Sequence, residues 1–192
     1  YEIPIHVDAA IGGLVEPFIR PGNKWDFRLG RVTSISTSAH KYGLVYPSLG
    51  WVVWRDGSLL HPSLRPSGSF PDIAGSFPFL NISRPSMQVT GQFYQFIRQG
   101  SEGYRSIHTR SMEVAEHVAE RLSQMKFFEV MSRKPDNPII VFTLSSAHTQ
   151  RWTLRDLQSG LKQYGWSVAV YDLPGQSKRC TVMRIAIRQG VG

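Results

Sequence analysis

Ser38-Ala39-His40-Lys41-Tyr42-Gly43-Leu44 closes a run of small and β-branched residues with a His-Lys pair and then turns on a glycine. Upstream, Arg31 to Ser38 reads as a strand built on Val32 and Ile35 among several Ser and Thr residues. Downstream, Gly50-Trp51-Val52-Val53-Trp54-Arg55 has the apolar run of a short strand buried on both faces. Lys41 is therefore expected on a loop between two strands, the kind of segment that rigid neighbours hold and that commonly carries chemistry.

Toward the N-terminus, Ile3, Ile5 and Val7 alternate with Glu2, Pro4, His6 and Asp8, the period of two that marks a strand with one apolar face. Asp8 falls at the carboxyl end of that strand, where open α/β sheets hold their ligands. The next five residues, Ala9-Ala10-Ile11-Gly12-Gly13, include four small ones, which let a planar ligand or another backbone approach. Asp8 keeps two readings at this point: a turn or N-cap aspartate, the commoner use, and a ligand-facing carboxylate.

Residues 16–30 read as an irregular connection, and the Pro-, Ser- and Gly-rich residues 56–78 as a long ordered loop. Ser83-Arg84-Pro85 has the form of a helix start with Ser83 as N-cap. Val89, Phe93, Phe96 and Ile97 then make an amphipathic stripe, and Tyr104, Ile107, Ser111, Val114, Ala115, Val118 and Leu122 make a second one. Gly100 and Gly103 are expected to break the helix between them. Beyond residue 105 strand and helix patterns alternate: Ile139 to Leu144, a helix carrying Leu154, Leu157 and Leu161, Val168 to Tyr171, and Thr181 to Ile187. This predicts a small α+β unit over 105–192, after a first unit over 1–104. Arg184 on the last strand is open between an exposed edge residue and a carboxylate anchor, whose planar fork matches two oxygens.

With 192 residues, 41% of them hydrophobic, the chain can bury one ordinary core or two small ones. No run of eighteen apolar residues is present, so no membrane partner is expected, and a single cysteine, Cys180, cannot form a disulfide within the chain. Cys180 reads as a buried or surface thiol rather than a nucleophile, and a reduced, cytoplasmic setting is the expectation. The formal charge of +8 is spread over single and paired basic residues without an aromatic platform, which argues against a nucleic-acid partner. The six histidines are scattered, and His6 with Asp8 makes only a two-ligand fragment, so no metal site is expected. Dinucleotide and phosphate-loop fingerprints, the nucleophile elbow and the zinc-protease helix motif are all missing. The opening on Tyr1, already inside a strand pattern, is read as a start within a domain.

What remains is an aspartate at the end of one strand and a lysine just past the end of another. Pyridoxal phosphate uses both, a lysine for covalent attachment and an acid to keep the pyridine nitrogen protonated. Any chain holds many Asp and Lys residues, so the pair alone leaves this cofactor as one reading among several.

The strings are more specific than the pattern. His6-Val7-Asp8-Ala9-Ala10-x-Gly12-Gly13, Pro17-Phe18, Trp25-Asp26-Phe27-Arg28-Leu29, Val32-x-Ser34-Ile35-x-x-Ser38-x-His40-Lys41-Tyr42-Gly43-Leu44 and Gly50-Trp51-Val52-x-Trp54-Arg55 occur in order. Asn81-x-Ser83-Arg84-Pro85-x-x-Gln88-Val89, Glu102-Gly103-Tyr104 and Met183-Arg184-Ile185 follow. The series resembles the group II pyridoxal-phosphate decarboxylases, and among them the glutamate decarboxylases, over nearly the whole chain. Aromatic amino-acid decarboxylases differ, with Asn-Pro before the His-Lys pair.

The resemblance implies an α/β fold: the later part of a type I pyridoxal-phosphate (aspartate aminotransferase-like) large domain, then a small α+β C-terminal domain. It implies pyridoxal 5'-phosphate as cofactor, Lys41 as its Schiff-base lysine and Asp8 as the partner of the pyridine nitrogen. Ala10 would pack on the ring, His40 and Ser83 would reach the phosphate, Ser83 from a neighbouring subunit of a homodimer or higher homo-oligomer, and Arg184 would hold the substrate carboxylate. The implied reaction takes L-glutamate to 4-aminobutanoate and CO2. The alternatives are a decarboxylase of another amino acid and a non-catalytic remnant that pairs with a full-length subunit; the chain alone is expected to have little activity. Ile11 replaces the family's usual Ser and Ala39 its usual Gly, both beside expected cofactor contacts.

Overall fold

A computed structural model of the chain describes residues 3–62, 86–147, 151–175 and 180–190. The chain divides into two compact units, Tyr1–Tyr104 and Arg105–Gly192.

The first unit is built on a three-stranded sheet of β1 (Ile5–Asp8), β2 (Val32–Thr37) and β3 (Trp51–Trp54), in that order. β1 and β2 run parallel, with Val7 opposite Ile35 and Asp8 opposite Ser36; β3 runs antiparallel to β2. Alternation sends Val7 and Ile35 to one face, where they pack with Ala9, Val32, Trp25 and Phe27. The connection after β1 is more ordered than its Pro- and Gly-rich sequence suggests, with a single helical turn, α1 (Glu16–Ile19), on Pro17. Arg55, just past β3, closes the far end: its guanidinium donates to the carbonyls of Val32, Phe27 and Leu29 and lies over the Phe27 ring at 5.4 Å.

Three expectations are corrected in this unit. Lys41 lies in a one-turn helix, α2 (Ala39–Tyr42), and not on an irregular loop. β3 is exposed along its four residues and sits at an edge of the sheet, so its apolar run does not report burial on both faces here. In the long helix α3 (Met87–Ser123), Val89, Phe93, Phe96 and Ile97 are all exposed, while Gln92 is fully buried. Of the stripe, Phe96 meets the unit, its ring 5.8 Å from that of Tyr104 and 6.4 Å from that of Trp51, while the row Gln88, Gln92, Gln95 and Gln99 is the less exposed one. The α3 backbone breaks at Gly100 (φ 57°, ψ −169°), which a side chain would strain, whereas Gly103 stays helical. Ser83 lies outside the described residues.

In the second unit the strands β4 (Phe128–Val130), β5 (Ile139–Leu144), β6 (Ala169–Asp172) and β7 (Thr181–Ala186) form an antiparallel sheet in the order β4-β5-β7-β6. β4 has only three residues, too few to carry a readable period, so it is not among the strands expected from the sequence. One face is covered by the C-terminal part of α3 and by α4 (Leu154–Gln163) through Ala115, Ala119, Val130, Ile140, Phe142, Leu154, Met183 and Ile187. Phe128 meets Phe142 edge-on at 5.0 Å. α4 starts on a capping box in which the Asp156 N–H donates to Thr153 Oγ1 and the Thr153 N–H donates to Asp156 Oδ2 at 2.7 Å.

Phe142 is 2% exposed, so Phe142→Ala should destabilise this unit by about 3–5 kcal/mol in urea melts. At the α4 cap, Thr153→Ala should cost about 1 kcal/mol, seen as faster amide exchange over the first turn. The hydrogen bonds from the Thr153 hydroxyl and N–H hold the Asp156 carboxyl below its ordinary value of 3.8. Its contribution is complete above that ordinary value and is lost as pH falls through the lower folded-state value, so Asp156→Asn should flatten the acid limb of the stability profile in that window.

Candidate active site

Because β1 and β2 are parallel, their carboxyl ends lie at one end of the sheet, and the pairing continues past both strands. The Ala9 N–H donates to the Ser36 carbonyl at 2.8 Å and the Ser38 N–H to the Ala10 carbonyl at 3.3 Å. These bonds set the Asp8–Ala10 turn beside the entry to α2. The approach is close: a Cβ added at Gly13 would come within 2.6 Å of Thr37 Oγ1, so the neighbouring strand end requires a glycine there.

Asp8 is exposed, and its Oδ1 accepts from the Ala10 N–H at 3.0 Å. That is the turn aspartate of the commoner reading, yet Oδ2 has no hydrogen-bond partner among the described residues and remains available. Two residues earlier on the same face, His6 is held at both ring nitrogens, Nδ1 to Ser34 Oγ at 2.7 Å and Nε2 to Ser36 Oγ at 3.1 Å. This polar floor was legible only as a period of two, His6 and Asp8 against Ser34 and Ser36. Among the described residues no group of three His, Cys, Asp or Glu side chains converges to hold a metal ion.

In α2, Ala39 and Tyr42 are buried while His40 and Lys41 are half-buried. His40 Nδ1 donates to the Leu49 carbonyl at 3.1 Å; a carbonyl only accepts, so Nδ1 carries the proton and Nε2 is left as an acceptor in the neutral ring. The Lys41 N–H donates to the Ser38 carbonyl at 3.1 Å, and its Nζ has no partner among the described residues. The next carbonyl but one, Gly43 O, accepts two hydrogen bonds, from Gln92 Nε2 at 2.9 Å and Tyr104 Oη at 3.0 Å. Gln92 Nε2 also donates to Tyr104 Oη at 3.0 Å. Burial pushes the Tyr104 phenol above its ordinary value of 10.0, which keeps it a donor.

The structure thus brings Asp8, Ala10, His40 and Lys41 to one end of the first unit's sheet. Arg184 belongs to the second unit, on β7 between Val141 of β5 and Ala169 of β6. It is exposed but on an interior strand of the sheet, so the edge-residue reading is corrected. Its guanidinium lies over the Tyr171 ring at 5.9 Å, beside a cavity of about 730 Å³ lined by Val118, Leu161, Trp166 and Val168 among others. Cys180 is a half-buried free thiol. No helix among the described residues is long and apolar enough to cross a membrane.

Residues 1–145 match the family described as the pyridoxal-dependent decarboxylase conserved domain. The chain is 42% identical to a glutamate decarboxylase of Lactococcus lactis subsp. cremoris and 41% identical to glutamate decarboxylase beta of Listeria innocua, in both cases over 100% of this chain and 41% of the relative. The chain therefore spans well under half the length of these relatives. Among solved structures, a Lactobacillus brevis glutamate decarboxylase superposes with a TM-score of 0.88 at 42% identity, covering 96% of this chain and 42% of that one. A sphingosine-1-phosphate lyase of Burkholderia pseudomallei shares the fold at 20% identity, with a TM-score of 0.76 over 97% of this chain and 41% of that one. The architecture is that of the type I pyridoxal-phosphate fold, in the part this chain spans, and the chain belongs to the pyridoxal-dependent decarboxylase family.

Proposed function

We propose that this chain supplies the lysine-bearing part of the active site of a pyridoxal-phosphate enzyme that converts L-glutamate to 4-aminobutanoate and CO2. The observation that carries the reading is the convergence of Asp8 and Lys41 at the carboxyl end of a parallel strand pair. The identity of 41–42% to glutamate decarboxylases supports glutamate as the substrate. In this reading residues 1–104 are the later part of the cofactor-binding large domain and residues 105–192 a small α+β domain.

The donor set suits the cofactor. A half-buried amine, a carboxylate with one oxygen fixed and one open, and an imidazole whose Nε2 can donate to a phosphate oxygen in the imidazolium form match an aldehyde, a pyridine nitrogen and a phosphate group. Lys41 would hold the aldehyde carbon covalently, and Asp8 would keep the ring nitrogen protonated. The small side chain of Ala10 would let the ring lie flat against the chain, and His40 would contact the phosphate. Bound there, the cofactor supplies the electron sink that accepts the pair released when CO2 leaves Cα.

Ser83, from a neighbouring subunit of a homodimer or larger homo-oligomer, would add to the phosphate contacts. Arg184 would orient the substrate carboxylate with its two-pronged guanidinium. Ile11, longer than the serine of the family pattern, would narrow the space beside the ring. A cytoplasmic setting fits the lone cysteine.

Incubation with pyridoxal phosphate, reduction with borohydride and peptide mapping should attach a pyridoxyl group at Lys41. Lys41→Ala should abolish that label, while a label on other lysines with Lys41 unmodified would overturn the assignment. Asp8→Asn should weaken cofactor retention by about tenfold, as expected for one charge-assisted hydrogen bond. For the substrate, the intact polypeptide that carries this chain should release 4-aminobutanoate from L-glutamate and leave L-aspartate and aromatic amino acids untouched. Turnover of one of those in place of glutamate would refute the substrate assignment.

A further inference from the structure

The cluster of Gln92, Tyr104 and Gly43 lies behind the lysine turn and is remote from it in sequence, with Gln92 49 and Tyr104 61 residues beyond Gly43. α2 is one turn long, closed by the Gly43 N–H donating to the Ala39 carbonyl at 2.8 Å, and an isolated helical turn does not hold itself in water. The chain then reverses at Leu44, whose φ is 63°, in the left-handed region. The position of Lys41 must therefore come from tertiary tethers. On the N-terminal side these are the Ser38–Ala10 bond and the buried Ala39; on the C-terminal side the Gly43 carbonyl is filled at both lone pairs.

Gln92 is an unusual choice for that place. It is fully buried, yet its Oε1 has no hydrogen-bond partner among the described residues. A methionine or leucine would fill similar space without stranding a buried acceptor, so the amide is kept at a cost to stability. What it provides is an NH2 whose two hydrogens reach Gly43 O and Tyr104 Oη. Tyr104 is 1% exposed and stacked on Phe18 at 4.8 Å, so its hydroxyl is fixed as well. Gly43 has an ordinary φ of −86°; the reason for glycine is space, since a Cβ would fall 2.5 Å from both Gln92 Oε1 and the Ala39 carbonyl.

We infer that Gln92 and Tyr104 are positioning residues that clamp the Gly43 carbonyl and so fix the lysine turn at the height where Lys41 meets the cofactor aldehyde. The inference rests on the cofactor assignment at Lys41. Neither residue touches the reacting atoms; both act through Gly43.

The test uses the intact polypeptide that carries this chain and the variants Tyr104→Phe, which keeps the ring on Phe18, and Gln92→Met, which keeps the volume, with the exposed Tyr94→Phe as control. Pyridoxal phosphate is titrated, the adduct at Lys41 is trapped with borohydride, and labelling is expressed per folded chain from circular dichroism. Both clamp variants should lower the limiting labelling rate by about tenfold, the size of one lost buried hydrogen bond, with Tyr94→Phe unchanged. A purely structural role would reduce the folded fraction and leave the rate per folded chain alone, and that result overturns the inference.

Hydrogen exchange over residues 39–44 without cofactor separates the two claims. Faster exchange in both variants supports the clamp even if wild-type Lys41 takes no label, in which case the cofactor assignment is what fails. Unchanged exchange removes the clamp whatever the labelling shows. If Gln92→Met does not fold, Tyr104→Phe decides alone.

Discussion

The direction of one strand pairing governs the first unit. β1 and β2 run parallel, and their hydrogen bonding extends beyond the strands to the Ser38–Ala10 contact, so the residues following both strands emerge together. An antiparallel register would separate Asp8 from Lys41 by the length of the sheet. Parallel pairing also bears on the local composition: the turn after β1 passes close to the end of β2, and at Gly13 a methyl group would not fit against the Thr37 side chain. Small residues around the site follow from crowding as much as from any ligand.

Much of the element order could be read from periodicity, and the failures have identifiable causes. The alternation of Ile5 and Val7 with His6 and Asp8, and the leucine spacing of α4, each yield the element found. The Lys41 segment reads as a loop because a four-residue helix has no period of its own and is set by contacts made elsewhere in the unit. The α3 stripe is legible as amphipathic, but amphipathicity says only that one face is apolar and not what covers it; in this chain Phe93 and Ile97 are 66% and 71% exposed. Apolar strings such as Trp51-Val52-Val53-Trp54 likewise report a tendency to be covered, without saying by what.

For the site itself, the family resemblance singled out Asp8, Ala10, His40 and Lys41, which the fold brings to one end of one sheet. Spacing alone had left them as ordinary turn and loop residues. Tyr104 enters as a stripe residue and within the Glu102-Gly103-Tyr104 string without a role, and Gln92 enters neither way: a glutamine in a helix looks like a solvated residue, and nothing local reveals that it is 0% exposed against a carbonyl far earlier in the chain. A buried amide with an orphaned oxygen becomes visible only once the packing is known. His6 illustrates the converse, since a histidine two residues from an aspartate suggests metal chemistry until both ring nitrogens are found on serines.

The exposed β3 strand bears on how the polypeptide behaves in solution. Trp51-Val52-Val53-Trp54 is an uncharged, β-prone segment, paired only with β2 among the described residues and presenting its other edge unpaired. Such an edge is a template for a strand from another molecule, and Arg55 is its only immediate charge. An uncharged edge of this kind, in the same sheet that carries Asp8, is where a further strand can add, and a lysine placed at Val53 would disfavour such pairing.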